Sequence, residues 1–370
     1  MIRVLHVIGK MDRAGAETML MNLYRNIDRE KIQFDFMVHT AEKCAYDDEI
    51  ISLGGNIYHI PKFNGPNFIT YVKAWNNFFK QHGEHTIVHG HIGSSAAIYL
   101  SIANKHGKFT IAHSHATADV ERSVKTCLWN LCSYPTRFIS DYYLACSKQA
   151  GIDRFGKKIV DSNKFKVLNN AIDLEKYAYS DNIRVKIRSE FGISDKFILG
   201  HAGRFAKVKN HEFVIDVFYN VQKHLPNSVL MLVGDGNLKT GIIDKARELG
   251  ILNNIIFTGV REDVPNLLQA MDVFVFPSFF EGLGIVAVEA QAAGLHTICS
   301  DALPTEARVT DLFHPLPLSA GAEKWADEIL KYADGYERKN MHDTICRAGY
   351  DIHQTAEWLE EFYVNNVKDL

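Results

Sequence analysis

Short apolar runs alternate with amphipathic stretches along most of the chain. In the first half, β-branched and aromatic runs predict strands at RVLHVIG, QFDFMVH, NIYHI, HTIVHGH, FTIAHSH and YYLACS. Between these runs, the spacing of apolar residues predicts helices that include residues 16–26, 69–80 and 94–105. This alternation predicts a parallel sheet that is covered by helices on both faces.

The alternation breaks at FKVLNNAIDLEKYAYSDN and then begins again. The second set of predicted strands is KFILGHAGR, SVLMLVGDG, NIIFTGV, DVFVFPS and HTICS. A helix predicted over residues 210–224 carries one apolar stripe, made of Phe213, Val214, Val217, Phe218 and Val221. We therefore predict an α/β protein with two doubly wound domains, residues 1–176 and 177–350, and a helical C-terminus.

The composition is that of a soluble globular protein. The chain has 370 residues, enough for two cores, with 46% hydrophobic and 23% charged residues. No run of apolar residues is long enough to predict a spanning helix, and MIRVLHVIGK is too short and too charged for a signal peptide. The six cysteines form no CxxC pair, so we expect reduced thiols in a cytoplasmic protein.

Charge is distributed unevenly between the two halves. Residues 1–176 hold 22 Lys and Arg against 17 Asp and Glu, a net +5, whereas the remainder holds 19 against 27, a net −8. Part of the excess lies in KQAGIDRFGKKIVDSNKFK, residues 148–166. This segment is either a solvated surface or a basic face that contacts anionic membrane lipid or a lipid pyrophosphate. Nucleic acid is not an expected partner, because no nucleic-acid-binding pattern is present.

The segment SFFEGLGIVAVEAQAAGL holds the most informative pair of acids. An apolar strand runs into a glycine-rich turn and then into an alanine-rich helix, with Glu281 and Glu289 around the start of that helix. Helix N-termini attract phosphate, and Gly282 and Gly284 let the backbone approach a ligand closely. Carboxylates beside such a turn can accept hydrogen bonds from hydroxyls, so the segment suits a sugar nucleotide.

A second basic motif follows the predicted strand KFILGHAGR. Arg204 and Lys209, in GRFAKVKN, lie on the loop between that strand and the next helix. Arginine binds phosphate with a planar fork and lysine binds it as a point charge, so the pair can neutralise a diphosphate. The alternative is an ordinary solvated basic loop.

These two motifs together resemble the signature of family 4, the glycosyl transferases group 1. Members have two facing Rossmann-like domains, the GT-B fold, and include capsule and exopolysaccharide glycosyltransferases. The resemblance implies that the last helix, residues 351–370, crosses back to the first domain and that the ligand cleft lies between the domains. It also implies retaining transfer from a nucleoside diphosphate sugar, most often of UDP, to a glycan or polyprenyl-pyrophosphate-linked acceptor held by the first domain.

The resemblance assigns roles within the second domain. Arg204, Lys209 and the backbone N–H groups at the helix start would bind the diphosphate, Glu289 the ribose and Glu281 the donor sugar. The backbone at Val260 and Arg261 would meet the base. The implied donor-binding residues are Arg204, Lys209, Val260, Arg261, Glu281, Gly282, Leu283, Gly284, Ile285 and Glu289. The sequence contains no Asp-x-Asp motif, so no metal or other cofactor is expected.

The first predicted strand ends in GKMDRAGAETML. In the family this loop lies beneath the donor phosphate, so Gly15 and Ala16 are assigned there, although Ala14 stands where the family has glycine. The alternative is a plain strand–helix turn. A GxGxxG motif is absent, which argues against a dehydrogenase-type nucleotide site.

Two His-x-His pairs end consecutive predicted strands, His89 with His91 and His113 with His115. Residues i and i+2 of a strand share a face, so each pair can bind a metal or line a cleft. We expect no metal, because nearby carboxylates and thiols are not spaced to complete a site. The family has a histidine near the donor sugar in the HSH segment, and we favour His113 as the first residue past the apolar strand. We expect His113, Arg204, Lys209 and Glu281 to act in catalysis.

Two alternatives use the same fold. A sugar-nucleotide epimerase would lack the set of Arg204, Lys209, Glu281 and Glu289 and would release diphosphate without an acceptor. A non-catalytic protein would bind a nucleotide or glycan and turn over no donor.

Overall fold

The structure, a computed structural model, describes residues 1–13, 15–115 and 134–368. The chain folds into two units: unit 1 is Met1–Ile172 with Gly349–Leu370, and unit 2 is Asp173–Ala348. The domain limits predicted from the sequence lie within a few residues of these. Among the described helices, none is both long and apolar enough to cross a lipid bilayer.

Unit 1 contains a seven-stranded parallel sheet in the order β3-β2-β1-β4-β5-β6-β7. The strands are β1 (Ile2–Val7), β2 (Ile32–Val38), β3 (Ile57–His59), β4 (His85–Gly90), β5 (Phe109–Ser114), β6 (Tyr142–Ala145) and β7 (Phe165–Val167). The described helices are Gly15–Asn26, Asp47–Ser52, Phe68–Gln81, Ala96–Lys105, Thr136–Ile139, Lys148–Phe155, Lys157–Val160 and Ile352–Lys368.

Both faces of this sheet are covered, because its strands carry apolar side chains on both sides. Residues of helices Gly15–Asn26 and Ile352–Lys368, among them Tyr24 and Tyr363, pack with strand residues in one cluster. Residues of the helices between β3 and β5, among them Trp75, fill a second cluster. The C-terminal helix therefore packs on the first sheet, as the family resemblance implies.

Unit 2 contains a six-stranded parallel sheet in the order β10-β9-β8-β11-β12-β13. The strands are β8 (Phe197–Ala202), β9 (Ser228–Val233), β10 (Ile255–Gly259), β11 (Val273–Phe276), β12 (His296–Ser300) and β13 (Phe313–Leu316). The α-helices are Leu174–Tyr177, Asp181–Glu190, His211–His224, Lys239–Glu248, Val264–Ala270, Ile285–Ala292, Gly321–Leu330 and His342–Arg347. Single 3-10 turns lie at Lys207–Lys209, Leu252–Asn254, Thr305–Ala307 and Leu318–Ala320.

A shielded acid joins the two central strands of unit 2. The Asp272 carboxylate, just before β11, accepts hydrogen bonds from the backbone N–H of Ile198 at 2.7 Å and from Arg188 at 2.6 Å, and it also pairs with Arg184. These contacts fix the amino end of β11 against β8. The loops that follow β8 and β11 therefore begin at strands whose relative position is fixed.

The sequence pattern missed two strands, β7 and β13. The three residues of β7 lie in the segment that was interpreted as a break, and β13 contains Pro315. Both strands are at sheet edges, where a short strand or a proline is tolerated because only one side must pair. A further correction concerns β5, which continues to Ser114, so His113 lies inside the strand and not past it.

The strand orders place one topological switch point in each sheet. Successive crossovers diverge between β1 and β4 in unit 1 and between β8 and β11 in unit 2. Ligands of such sheets bind at the carboxyl ends of the strands beside the switch point. Most of the residues singled out in the sequence lie at or just past those ends.

Candidate functional site

Backbone hydrogen bonds join four loops at the carboxyl edge of the second sheet. These loops follow β8, β9, β10 and β11, which are adjacent strands. The joining bonds run from Gly203 N to Val233 O, Phe205 N to Asp235 O, Gly234 N to Gly259 O and Phe279 N to Val208 O, each at 2.9 Å. The loops therefore form one continuous surface, on which the predicted diphosphate-binding residues lie.

Two glycines after β9 permit this close approach. A Cβ atom on Gly234, whose φ is +130°, would lie 2.2 Å from the carbonyl oxygen of Gly203. A Cβ atom on Gly236 would lie 2.6 Å from the carbonyl oxygen of Phe205. Only glycine fits at these two places without moving the backbone of the neighbouring loop.

Lys209 and Glu281 form an ion pair at the centre of this edge. Lys209 Nζ lies 2.7 Å from Glu281 Oε1, and both side chains are largely shielded from solvent. The ammonium group also lies 4.7 Å from the ring centroid of Phe276. Shielding strengthens both attractions, so the cation is held next to the carboxylate before any ligand arrives.

The residue after Lys209 helps to fix this loop. Asn210 has a φ of 56°, and its side-chain amide donates to the carbonyl oxygen of Pro277 at 3.2 Å. Asparagine tolerates the left-handed conformation better than most residues. The loop after β8 is thereby tied to the end of β11 at the start of helix His211–His224.

Arg204 differs from Lys209 in being exposed. It directly follows Gly203, and within the described ranges no carboxylate pairs with its guanidinium group. An exposed guanidinium on the same loop as Lys209 adds a positive charge to this edge, which suits a diphosphate.

The predicted turn before the second acid has the expected form. Gly284 adopts a φ of +78°, and helix Ile285–Ala292 begins directly after it. Leu283 is buried, Gly282 is partly buried, and the first N–H groups of the helix have no partners within the helix. The structure therefore places Glu281 before a helix N-terminus and Glu289 inside the helix.

Glu289 has a buried neighbour that the sequence did not reveal. The hydroxyl group of Tyr177 hydrogen-bonds to the Glu289 carboxyl group. Burial raises the pKa of Glu289, and the Tyr177 hydrogen bond opposes that rise. Tyr177 ends a short helix in the segment that the sequence marked as a break, and no periodicity or spacing there connects it to Glu289.

Val260 and Arg261 follow β10 at the same edge. Val260 is exposed, and the Arg261 guanidinium makes a two-pronged ion pair with Asp263 at 2.7 and 2.8 Å. The Arg261 side chain is therefore engaged, and a contact of this backbone with a base stays a prediction.

In unit 1, Gly15 and Ala16 begin the helix after β1. No atom lies within 4 Å of a Cβ added to Gly15, so packing alone does not require glycine there. Glu17, in the same first turn, has a pKa raised by burial. Ala14 lies outside the described residues.

The two predicted histidine pairs come together with a fifth histidine, His6 of β1. We call His6, His89, His91, His113 and His115 the imidazole cluster. His6 Nδ1 lies 3.0 Å from His91 Nε2, and His91 Nδ1 lies 2.7 Å from His115 Nε2. His89 Nε2 lies 3.2 Å from His113 Nδ1, and the Tyr363 hydroxyl lies 2.7 Å from His89 Nδ1. Each pair shares a face as predicted, and the register of β1, β4 and β5 adds the contacts between strands.

The two halves of the chain match two family models. "Glycosyltransferase Family 4" matches residues 13–176, and "Glycosyl transferases group 1" matches residues 184–344. Among solved structures, Anabaena Alr3699/HepE, crystallised in complex with UDP, has a TM-score of 0.78 at 17% identity, over 99% of this chain and 100% of that chain. That likeness confirms the GT-B fold.

Two relatives help to assign the chain to a protein family. An Escherichia coli protein named UDP-Gal:alpha-D-GlcNAc-diphosphoundecaprenol alpha-1,3-galactosyltransferase is 27% identical over 56% of each chain. A Bacillus subtilis (strain 168) protein named as the glycosyltransferase EpsF is 35% identical over 99% of this chain and 98% of its own length. Because this similarity spans both units and both family models match, the chain belongs to the family 4 glycosyltransferases, the glycosyl transferases group 1.

Proposed function

We propose that the protein is a retaining glycosyltransferase. It transfers a hexose or N-acetylhexosamine from a UDP sugar to a glycan or polyprenyl-pyrophosphate-linked acceptor in the biosynthesis of a surface polysaccharide. The observation that carries the proposal is the shielded pair of Lys209 and Glu281 on the loop edge that also carries the N-terminus of helix Ile285–Ala292. A cation, an acid and free N–H groups suit the diphosphate and sugar hydroxyls of one donor.

Charge development on the leaving diphosphate is the main problem of this reaction. Arg204 and Lys209 supply positive charge, and the N–H groups of Leu283, Gly284 and Ile285 supply hydrogen-bond donors. Groups that are already oriented stabilise such charge without reorganising during the reaction. These groups take the place of a divalent metal in the proposal, which therefore includes no metal at the diphosphate.

Glu281 and Glu289 accept hydrogen bonds from hydroxyls of the donor. Lys209 contacts Oε1 of Glu281, so the other oxygen can accept from the sugar. Glu289, held by Tyr177, accepts from the ribose. UDP is proposed as the nucleotide because the HepE structure contains UDP and the name of the E. coli relative specifies a UDP sugar.

Retention is proposed to arise by front-face attack. The bond between C1 and the phosphate oxygen breaks, and the acceptor oxygen bonds to C1 on the same face. The acceptor proton passes to the departing phosphate oxygen. His113 is proposed to contact the donor sugar because it lies in the HSH segment, where the family has a histidine near that sugar. Burial lowers the pKa of His113 well below the usual value, which favours the neutral imidazole.

The acceptor is proposed to bind unit 1. The name of the E. coli relative specifies a diphosphoundecaprenol-linked acceptor, and residues 148–166 of this chain are rich in lysine. A lipid-linked acceptor would bring the protein to the cytoplasmic face of the membrane, where basic side chains meet anionic lipid.

The first experiment measures thermal stability with UDP, GDP, ADP and their sugars in the presence of a chelator. A ligand that binds only the folded state raises the melting temperature. We expect UDP to raise it in the wild type and in Lys207→Ala, which removes an exposed cation from the same loop, but much less in Arg204→Ala. An equal shift in both variants would refute the diphosphate clamp.

Turnover separates the alternative functions. Donor consumption that requires an acceptor supports transfer, and retention is then read from the anomeric configuration of the product by NMR. Release of UDP without any acceptor would indicate an epimerase. Nucleotide binding without any turnover would indicate a binding protein.

A further inference from the structure

The imidazole cluster lies at the switch point of the first sheet. His6 on β1 is in register with His89 on β4, and His113 extends the cluster to β5. This is the position in an α/β sheet where ligands bind. The proposed function assigns a role to only one of these five histidines, His113, so it does not explain why the other four are there.

Burial favours the neutral form of all five rings. Burial lowers the pKa of His6 to about 3 and that of His115 to about 4. The pKa values of the other three are well below the usual 6.5, because of burial and repulsion from neighbouring imidazoles. A neutral imidazole has one nitrogen with a free lone pair, which is the form that binds metals.

Hydrogen bonding within the cluster leaves several nitrogens unused. His6 Nε2, His113 Nε2 and His115 Nδ1 are buried and have no hydrogen-bond partner among the described residues. A buried polar atom without a hydrogen-bond partner destabilises the folded state. A plain ladder of hydrogen bonds therefore does not account for the whole cluster.

We propose that His91, His113 and His115 form a binding site for a divalent transition-metal ion of the Zn²⁺ type. One nitrogen from each lies within 4.8 Å of the others, and His91 and His115 are the less buried members of the cluster. Ligand nitrogens around tetrahedral zinc are about 3.4 Å apart, so small ring movements complete the site. The group of His6, His89 and His91 has similar spacing, but two of its members are fully buried.

The chemistry of the ligands selects the ion. Three imidazoles favour Zn²⁺, Co²⁺, Ni²⁺ or Cu²⁺, whereas Mg²⁺ requires oxygen ligands. The site also belongs to unit 1, whereas the diphosphate-binding residues belong to unit 2. The proposed metal ligands are therefore different residues from those that are proposed to bind the diphosphate.

The sequence-based expectation of no metal rested on the lack of completing carboxylates and thiols. In the structure another histidine can take the place of a carboxylate or thiol, because the pair on β5 lies against the pair on β4. His91 of β4 therefore supplies the third ligand beside His113 and His115 of the β5 pair.

The site has a regulatory consequence that rests on the proposed function. His113 cannot both bind the metal and contact the donor sugar with the same nitrogen. Zn²⁺ at concentrations that fill the site is therefore expected to inhibit transfer.

The test is titration of untagged full-length protein with Zn²⁺ by calorimetry and with Co²⁺ by visible spectroscopy. The variants are His91→Asn, which removes a ligand, and His353→Asn, which removes an exposed histidine of the same unit. We expect one ion per wild-type chain, d–d bands of tetrahedral Co²⁺, no binding of Mg²⁺, and unchanged binding by His353→Asn. Binding by His91→Asn should weaken by at least about tenfold.

Stoichiometric binding that survives in folded His91→Asn would overturn the proposal, as would the absence of binding by the wild type. If His91→Asn does not fold, the partly exposed His115→Asn is tested for the same loss. UDP binding is measured in parallel, because a protein that binds Zn²⁺ but no nucleotide would refute the proposed function and leave the metal site standing.

Discussion

Gly234→Ala is expected to disrupt the loop edge of unit 2. The added Cβ would lie 2.2 Å from the carbonyl oxygen of Gly203, and the two loops would have to separate until that distance reaches at least 3.0 Å. Such a separation stretches the two hydrogen bonds that join these loops, from Gly203 N to Val233 O and from Phe205 N to Asp235 O, both 2.9 Å long.

The expected loss of stability has two parts. A residue with a side chain at a φ of +130° is strained by about 1–3 kcal/mol. Weakening two backbone hydrogen bonds adds about 1–2 kcal/mol. We therefore expect the free energy of unfolding of unit 2 to fall by about 2–5 kcal/mol. UDP affinity should also fall, because Arg204 moves with Gly203.

Gly241→Ala provides the matched control. Gly241 is exposed in helix Lys239–Glu248, and no atom lies within 4 Å of its added Cβ. The same substitution should there raise stability by about 0.5–1 kcal/mol and leave UDP affinity unchanged. Urea unfolding and UDP calorimetry measure both quantities. If Gly234→Ala and Gly241→Ala have the same effect on the free energy of unfolding and on UDP affinity, the two loops do not approach each other as closely as described.

Three further outcomes are expected. Tyr177→Phe should raise the pKa of Glu289 further, so on acidification UDP affinity should decline at a higher pH in this variant than in the wild type. Tyr179→Phe, which removes an exposed hydroxyl, is the control. Identical pH profiles of UDP affinity in Tyr177→Phe and the wild type would count against the contact between Tyr177 and Glu289. The pKa of buried His211 is lowered to about 4 from 6.5, so below pH 6.5 the unfolded chain binds a proton that the folded chain does not. Between pH 7 and pH 5 this should remove about 2 kcal/mol of stability, and urea unfolding of His211→Leu should lack that component. Asp272→Asn leaves two partly buried arginines without their carboxylate and should cost about 3 kcal/mol in urea unfolding; a loss below about 1 kcal/mol would contradict the bridging role.

The interior strands could be predicted from the sequence because their apolar runs are continuous. β8 and β11 are buried along their whole length, so burial imposes the pattern that the sequence shows. The edge strands β7 and β13 could not, since they are short and only one side is paired. Local spacing also predicted that His89 and His91 share a face, because that relation depends on the period of one strand alone.

The sequence by itself determined the two doubly wound units, the family motif and the residues on the loops after β8 and β11. Only the tertiary structure decided which side chains meet. Lys209 and Glu281 are 72 residues apart and Tyr177 and Glu289 more than a hundred, and His6 reaches His91 through the register of β1 on β4. Periodicity and motif spacing report only on neighbours along the chain. Contacts between distant segments depend on strand order and register, which are fixed when the whole sheet packs.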